Sequence, residues 1–246
     1  GESNKPGDYP RRLLGHLPYA LTDGQRRAVS TIENDIASTR RMHRLLQGDV
    51  GCGKTIVAFY CCLGALNGGK QVGWLVPTES LAHRTFGAIS QWGGSIDKRC
   101  ELLTGSMDAS RKRDVRNRCA AGEIDIIVGT HALLQPAVTF RKSGMIVIDE
   151  QHKFGVNQRL EMQKKAPNAD FLCMSATPIP RTLARIAYRD LDVVSIEDLP
   201  PGRRPVSTHL VSESKRREMY DFIKKQLDRG EQCFYVAPRI EGDDED

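Results

Sequence analysis

The chain has 246 residues, 39% hydrophobic and 27% charged, which suits one large folded domain or one and a half ordinary ones and excludes collagen-like, coiled-coil and disordered architectures. Its 36 basic residues outnumber 31 acids, and five of those acids fall in the last six residues, so residues 1–240 carry 36 basic against 26 acidic groups, a body that favours a polyanionic partner. No apolar run reaches the ~18 residues of a membrane helix, no secretory leader opens the chain, and seven cysteines without a Cys-x-x-Cys pair give no disulfide framework or zinc site; a cytoplasmic protein without membrane contact is expected.

Residues 1–18 carry Pro6, Pro10 and Pro18 with Gly1, Gly7 and Gly15 and no apolar period, so they read as a linker entered from an upstream domain. Thr22 then opens an apolar spacing at Val29, Ile32 and Ile36, a helix whose Thr-x-x-Gln start fits a capping box. From residue 44 the pattern is α/β. Short runs rich in branched residues at 45–46, 72–76, 102–103, 124–128, 145–148 and 171–174 read as buried parallel strands. Crossover helices are placed at 54–67, 79–92, 109–121, 157–165 and 181–189. The expected fold of residues 19–198 is a doubly wound parallel sheet. Leu199-Pro-Pro-Gly-Arg-Arg-Pro205 punctuates the chain. Beyond it, 206–211 and 233–236 read as strands flanking a helix at 213–229, the incomplete start of a second α/β domain over 199–246.

Two local patterns carry chemistry. Gly48-Asp49-Val50-Gly51-Cys52-Gly53-Lys54-Thr55 matches Gly-x4-Gly-Lys-Ser/Thr between a strand and a helix. Its glycines let consecutive N–H groups face a β-phosphate, Lys54 reaches the β- and γ-phosphates, and the Thr55 hydroxyl ligates Mg²⁺, so ATP with Mg²⁺ is the expected cofactor. Cys52, beside the bound phosphate, is expected to make this loop oxidisable. Met145-Ile-Val-Ile-Asp149-Glu150 is an apolar strand ending in two carboxylates, where open α/β sheets bind ligands. Asp149 can hold Mg²⁺ through water, and Glu150 can orient and polarise the water that attacks the γ-phosphate.

Asp149-Glu150-Gln151-His152 and Ser175-Ala176-Thr177-Pro-Ile-Pro-Arg-Thr182 resemble the DExH box and Ser-Ala-Thr motif of superfamily-two helicases and translocases. The resemblance implies a RecA-like P-loop NTPase domain followed by the start of a second one. It places Gln151 and His152 where they could hydrogen-bond the Ser175 and Thr177 hydroxyls and report γ-phosphate loss. Gln25 matches the family's adenine-reading glutamine, with Tyr19 as a stacking neighbour; the competing use of that amide is the Thr22 capping box. Pro77-Thr78-Glu79, Thr104-Gly105-Ser106 and Gly129-Thr130-His-Ala-Leu-Leu-Gln135 resemble the family's nucleic-acid contacts, gripping phosphates without reading bases.

Within the superfamily the string is similar to the RecG family of bacterial ATP-dependent DNA helicases, notably in Leu46-Gln-Gly-Asp-Val-Gly51, Leu102-Leu-Thr-Gly-Ser106, Phe154-Gly-Val156, Asp190-Leu-Asp192 and Leu199-Pro-Pro-Gly202. Cys52 stands where the family usually has Ser, and Lys153 where it usually has Arg. The resemblance implies a translocase that remodels stalled forks and branched recombination intermediates, here represented by its ATP-binding motor domain. The wedge domain and the arginine finger of the second motor domain lie outside the chain. A transcription-repair coupling translocase and a non-catalytic nucleotide-binding module are the alternatives.

Overall fold

A strand that is apolar at every position survives only where both of its faces are covered, and the apolar runs of this chain meet that condition. In a computed structural model that describes residues 8–38, 40–150, 154–176, 191–198 and 206–237, they become β1 (His43–Gly48), β2 (Gln71–Leu75), β3 (Cys100–Leu103), β4 (Ile126–Gly129), β5 (Ser143–Ile148) and β6 (Asp170–Ser175). A seventh strand, β7 (Asp192–Ile196), pairs with β1 at the sheet edge. Every ladder is parallel, and the order is β3-β4-β2-β5-β6-β1-β7. The doubly wound parallel sheet expected of residues 19–198 is therefore present.

Alternate side chains of each strand feed two separate cores. Leu46, Val72, Trp74, Val128, Val147 and Met174 face α1 (Tyr9–His16), α2 (Asp23–Ile36), α3 (Lys54–Asn67) and α4 (Glu79–Ser95). Leu45, Leu75, Leu103, Ile127, Ile148 and Cys173 pack with residues of α5 (Ala109–Ala121), the short 3-10 turn His131–Leu134 and α6 (Val156–Lys165). Local chemistry sets the helix ends. Thr22 caps α2 with the complete capping box, Thr78 accepts from the Leu81 N–H at the start of α4, and Gly122 closes α5 in the left-handed region. α3 is apolar nearly all round because it lies against the sheet beneath α2, with eight buried side chains.

Three expectations need correction. Residues 9–16, expected within a linker, form α1, whose Leu13 is fully buried. Pro10 sits in the first turn, where its missing N–H costs nothing and its fixed φ favours the helix. β7 has no counterpart in the sequence reading, because an edge strand with three half-exposed positions presents no continuous apolar run. The third concerns residues 202–246, a separate compact unit. There α7 (Arg216–Leu227) follows the one-turn 3-10 helix Glu213–Lys215, but 206–211 and 233–236 form no ladder among the described residues, and Val206, Leu210, Phe234 and Val236 are at least 82% exposed. Strand propensity without a neighbouring ladder or a covered face does not make a strand. The helix expected at 181–189 lies outside the described residues.

Because Leu13 belongs to the core, Leu13→Ala is expected to destabilise the chain by about 2–5 kcal/mol in urea unfolding. A loss below about 0.5 kcal/mol would return residues 9–16 to the status of a linker.

Candidate active site

All strands are parallel, so their C-terminal ends share one edge, and the sheet order sorts the sequence motifs into two groups along it. At the adjacent ends of β5, β6 and β1 stand Asp149-Glu150, Ser175-Ala176 and the Gly48–Thr55 loop. At the adjacent ends of β2, β4 and β3 stand Pro77-Thr78, Gly129-Thr130 and Thr104-Gly105. Gln151, His152 and Thr177 lie outside the described residues.

The loop from β1 to α3 folds as its glycines require. Gly51 and Gly53 have φ of 82° and 84°, a region closed to most side chains, and Gly53, as N-cap of α3, brings no side chain to the first-turn N–H groups. The Lys54 ammonium arches back over the loop, donating to the carbonyls of Gly48 at 2.6 Å and Asp49 at 3.0 Å. Thr55 stands in the same first turn, while Asp49 and Val50 are exposed at the mouth. Cys52 is the exception. Its side chain is buried, and burial pushes the thiol up despite the opposing charge of Lys54, so the oxidisable loop expected from sequence is not what the fold provides.

Gln25 joins the loop to α2. Its Oε1 accepts the Thr22 N–H at 2.9 Å, and its Nε2 donates to the Cys52 carbonyl at 2.8 Å. The capping box and the loop thus share one buried amide, where the sequence left capping and adenine recognition as competitors. Asp198, just past β7, accepts the Gly24 N–H and lies 3.5 Å from Arg27, so a carboxylate the sequence reading did not single out caps α2 beside Gln25.

Asp149 is buried at the end of β5. Burial first, and the neighbouring Glu150 carboxylate second, push its pKa up to about 6, against the Glu150 N–H and the charges of Lys54 and Arg84, which favour the ionised form. Its Oδ1 accepts that N–H at 2.9 Å. Glu150 has φ of 49°, one of two non-glycine residues with positive φ among those described, which turns the chain sharply out of the strand. Ser175 is buried and lies opposite Gln47 in the β1–β6 ladder, next to the loop.

These residues fit a magnesium-bound nucleoside triphosphate. A loop with an uncapped helix start and a lysine at its mouth matches polyphosphate, and a buried carboxylate held against ionisation gains from a cation. Among the described residues no group of three or more His, Cys, Asp or Glu could hold a metal unaided. Mg²⁺ takes few protein oxygens and completes its shell with phosphate and water, so the Thr55 hydroxyl and the Asp149 carboxylate are donors of the type it uses.

The other half of the edge differs in detail from the sequence reading. The Thr104 and Thr130 side chains are buried, and the Thr130 N–H bonds the Leu103 carbonyl at 3.3 Å. Thr78, Gly105 and Ser106 are exposed. Glu79, the first residue of α4, accepts both the N–H and the hydroxyl of Ser106, at 2.9 and 2.6 Å.

Residues 22–186 match the family of DEAD/DEAH box helicases. The chain is 41% identical over 235 residues to the ATP-dependent DNA helicase RecG of Synechocystis, covering 96% of this chain and 28% of that protein. It is 44% identical over 233 residues to RecG of Aquifex aeolicus, covering 94% and 29% respectively. Among solved structures, RecG bound to a three-way DNA junction superposes with a TM-score of 0.82 at 39% identity, over 96% of this chain and 32% of that one. The helicase MrfA, at 18% identity and TM-score 0.66 over 93% of this chain and 38% of that one, shares the fold. The chain thus spans about 30% of the length of its RecG relatives.

The Asp149 carboxyl gives a pH signature. Between its ordinary value of 3.8 and about 6 the folded chain holds a proton that the unfolded chain has released, so stability falls as pH rises through that window, and the cost is fully present above it. Asp149→Asn is expected to raise stability at pH 7.5 by on the order of 1–3 kcal/mol and to change little near pH 3.5, read from urea midpoints. Equal midpoints at pH 7.5 would show that the carboxylate is not held against ionisation.

Proposed function

The chain belongs to the DEAD/DEAH box helicase family, and we propose that it is the ATP-binding motor domain of a RecG-type DNA helicase and double-stranded DNA translocase. In this reading the parent protein remodels stalled replication forks and branched recombination intermediates in the cytoplasm. The observation that supports it most is the division of one sheet edge into a nucleotide half at β5, β6 and β1 and a phosphate-backbone half at β2, β4 and β3. Residues 19–198 are the first RecA-like domain, 199–246 the start of the second, and 1–18, α1 included, the entry from a wedge domain. Among the described residues no helix is long and apolar enough to cross a membrane.

ATP, when bound, supplies the phosphoanhydride bond whose cleavage drives the motor. Lys54 would neutralise the β- and γ-phosphates and the first-turn N–H groups of α3 would cradle them, while Thr55 and Asp149 would hold Mg²⁺. Glu150, aimed by its positive φ at the end of β5, orients the attacking water and draws its proton. Gln25, its amide held between the Thr22 N–H and the Cys52 carbonyl, fixes the loop and would be the residue offered to the adenine base. Ser175, with Ala176, Thr177, Gln151 and His152, passes the state of the γ-phosphate toward the DNA-facing loops. On those loops Pro77, Thr78, Thr104, Gly105, Gly129 and Thr130 shape a surface for phosphates rather than bases, so forked DNA is held by backbone contact.

Two variants separate binding from turnover. Lys54→Ala is expected to abolish the stabilisation by Mg-ATP, about 2.7 kcal/mol at a ligand concentration of 100 Kd, with the ligand-free midpoint changed far less because the half-buried ammonium bonds only carbonyls of its own loop. Glu150→Gln is expected to keep that stabilisation. Undiminished ATP stabilisation in Lys54→Ala would remove the loop from phosphate binding and the motor reading with it.

A further inference from the structure

The turn after β3 already holds an anion, and it comes from the protein itself. Glu79 opens α4, directly after the β2 loop. Its Oε1 accepts the Ser106 N–H at 2.9 Å and its Oε2 the Ser106 hydroxyl at 2.6 Å. These bonds hold the Glu79 carboxyl below the usual carboxylate range, so it stays ionised through any physiological pH. From the other side, the Lys112 ammonium of α5 donates to the Gly105 carbonyl at 2.5 Å. The turn 104–106 is therefore held by an anion on the Ser106 N–H and hydroxyl and a cation on the Gly105 carbonyl.

Sheet order makes this contact informative. β2 and β3 are not neighbours; β4 runs between them. No ladder joins their loops directly, so Glu79 reaches past the end of β4 to tie them. β4 ends there in buried Gly129, where a Cβ would collide with the Leu103 carbonyl.

We propose that Glu79 is a positioning residue for the DNA-facing half of the edge: it fixes the loops after β2 and β3 as one surface, acting through Ser106. The proposal rests on the reading of that half as a phosphate-backbone surface. It also changes how the turn works there. The Ser106 N–H and hydroxyl are spent on Glu79, so the turn contributes its held shape and the nearby Lys112 charge rather than a free Ser106 amide.

Charge alone makes the opposite prediction, which gives the test its force. An exposed carboxylate near a DNA backbone repels phosphate, so deleting it would tighten binding if repulsion were its main effect. A positioning role requires weaker binding. The experiment measures anisotropy of a fluorescein-labelled forked duplex at low salt with the full chain, its Glu79→Ala and Glu79→Gln variants, and Mg-ATP thermal stabilisation in parallel. Glu79→Ala is expected to weaken DNA binding about tenfold. Glu79→Gln, which keeps one acceptor for the Ser106 N–H but turns an amide toward the hydroxyl, should fall between it and wild type. Mg-ATP stabilisation should be unchanged in both, which a general loss of fold would not allow. If the wild type binds the fork and Glu79→Ala binds it equally or more tightly, the role of Glu79 is overturned while the DNA surface stands. A parallel loss of Mg-ATP stabilisation overturns it too, by assigning Glu79 to the fold as a whole. If the wild type fails to bind forked DNA, the surface reading itself fails and takes the proposal with it.

Discussion

Parallel strand pairing is the constraint on which the rest of this molecule depends. Since all six ladders run the same way, every loop that can carry chemistry leaves the sheet at one edge, and the opposite edge is left to the returning connections. The order β3-β4-β2-β5-β6-β1-β7 then decides which loops become neighbours. Residues 100 positions apart in the chain, such as the Gly48 loop and Asp149, come to adjoin one strand, β6. The β2–β5 ladder is the seam between the two halves, and the Asp149 N–H bonds the Leu75 carbonyl across it at 2.9 Å. A shift in the nucleotide half therefore has a short covalent and hydrogen-bonded route to the loop at Pro77 and Thr78.

The nucleotide half carries local costs that the double core offsets. Asp149 is held in a place that resists ionisation, Glu150 occupies a backbone region that side chains avoid, and α3 begins without a side-chain cap. None of these features helps the ligand-free fold. In the proposed reading a polyphosphate with its magnesium would relieve the first and the last, giving the carboxylate a cation and the first-turn amides an anion. The half at β2, β4 and β3, proposed to face DNA, is built on the opposite plan, with Glu79, Lys112 and the strand-end carbonyls bonding its polar groups internally. A surface of that kind is preformed, as suits a partner gripped by shape and charge.

What the sequence made legible was local. The phosphate loop, the carboxylate pair and six of seven strands stand on contiguous strings whose residue types state their own requirement, glycine where φ is positive and branched residues where both faces are covered. The order of the strands is a long-range property, and no string encodes it. Pro10 and Gly15 were read as linker punctuation although a proline in the first turn begins a helix as readily as it breaks one. At 206–211 and 233–236 the propensity is that of strands, yet a strand is a property of a pair, and those segments have no ladder among the described residues. Gln25 offered two uses for one amide, and only coordinates could show both of its ends engaged. Asp198 and Glu79 were invisible as partners because each acts on backbone N–H groups far away in sequence.

The division of the edge into two halves is tested most directly by backbone amide chemical shifts of the full chain, followed in separate titrations with a non-hydrolysable Mg-ATP analogue and with a short forked duplex. The nucleotide should move amides of residues 48–55, 149–150 and 175–176, and the DNA those of 78–79, 104–106 and 129–130, with β2 and β5 showing small responses to both. Overlapping responses, with DNA perturbing the Gly48–Thr55 loop directly or the nucleotide perturbing 104–106 as strongly as its own loop, would contradict it.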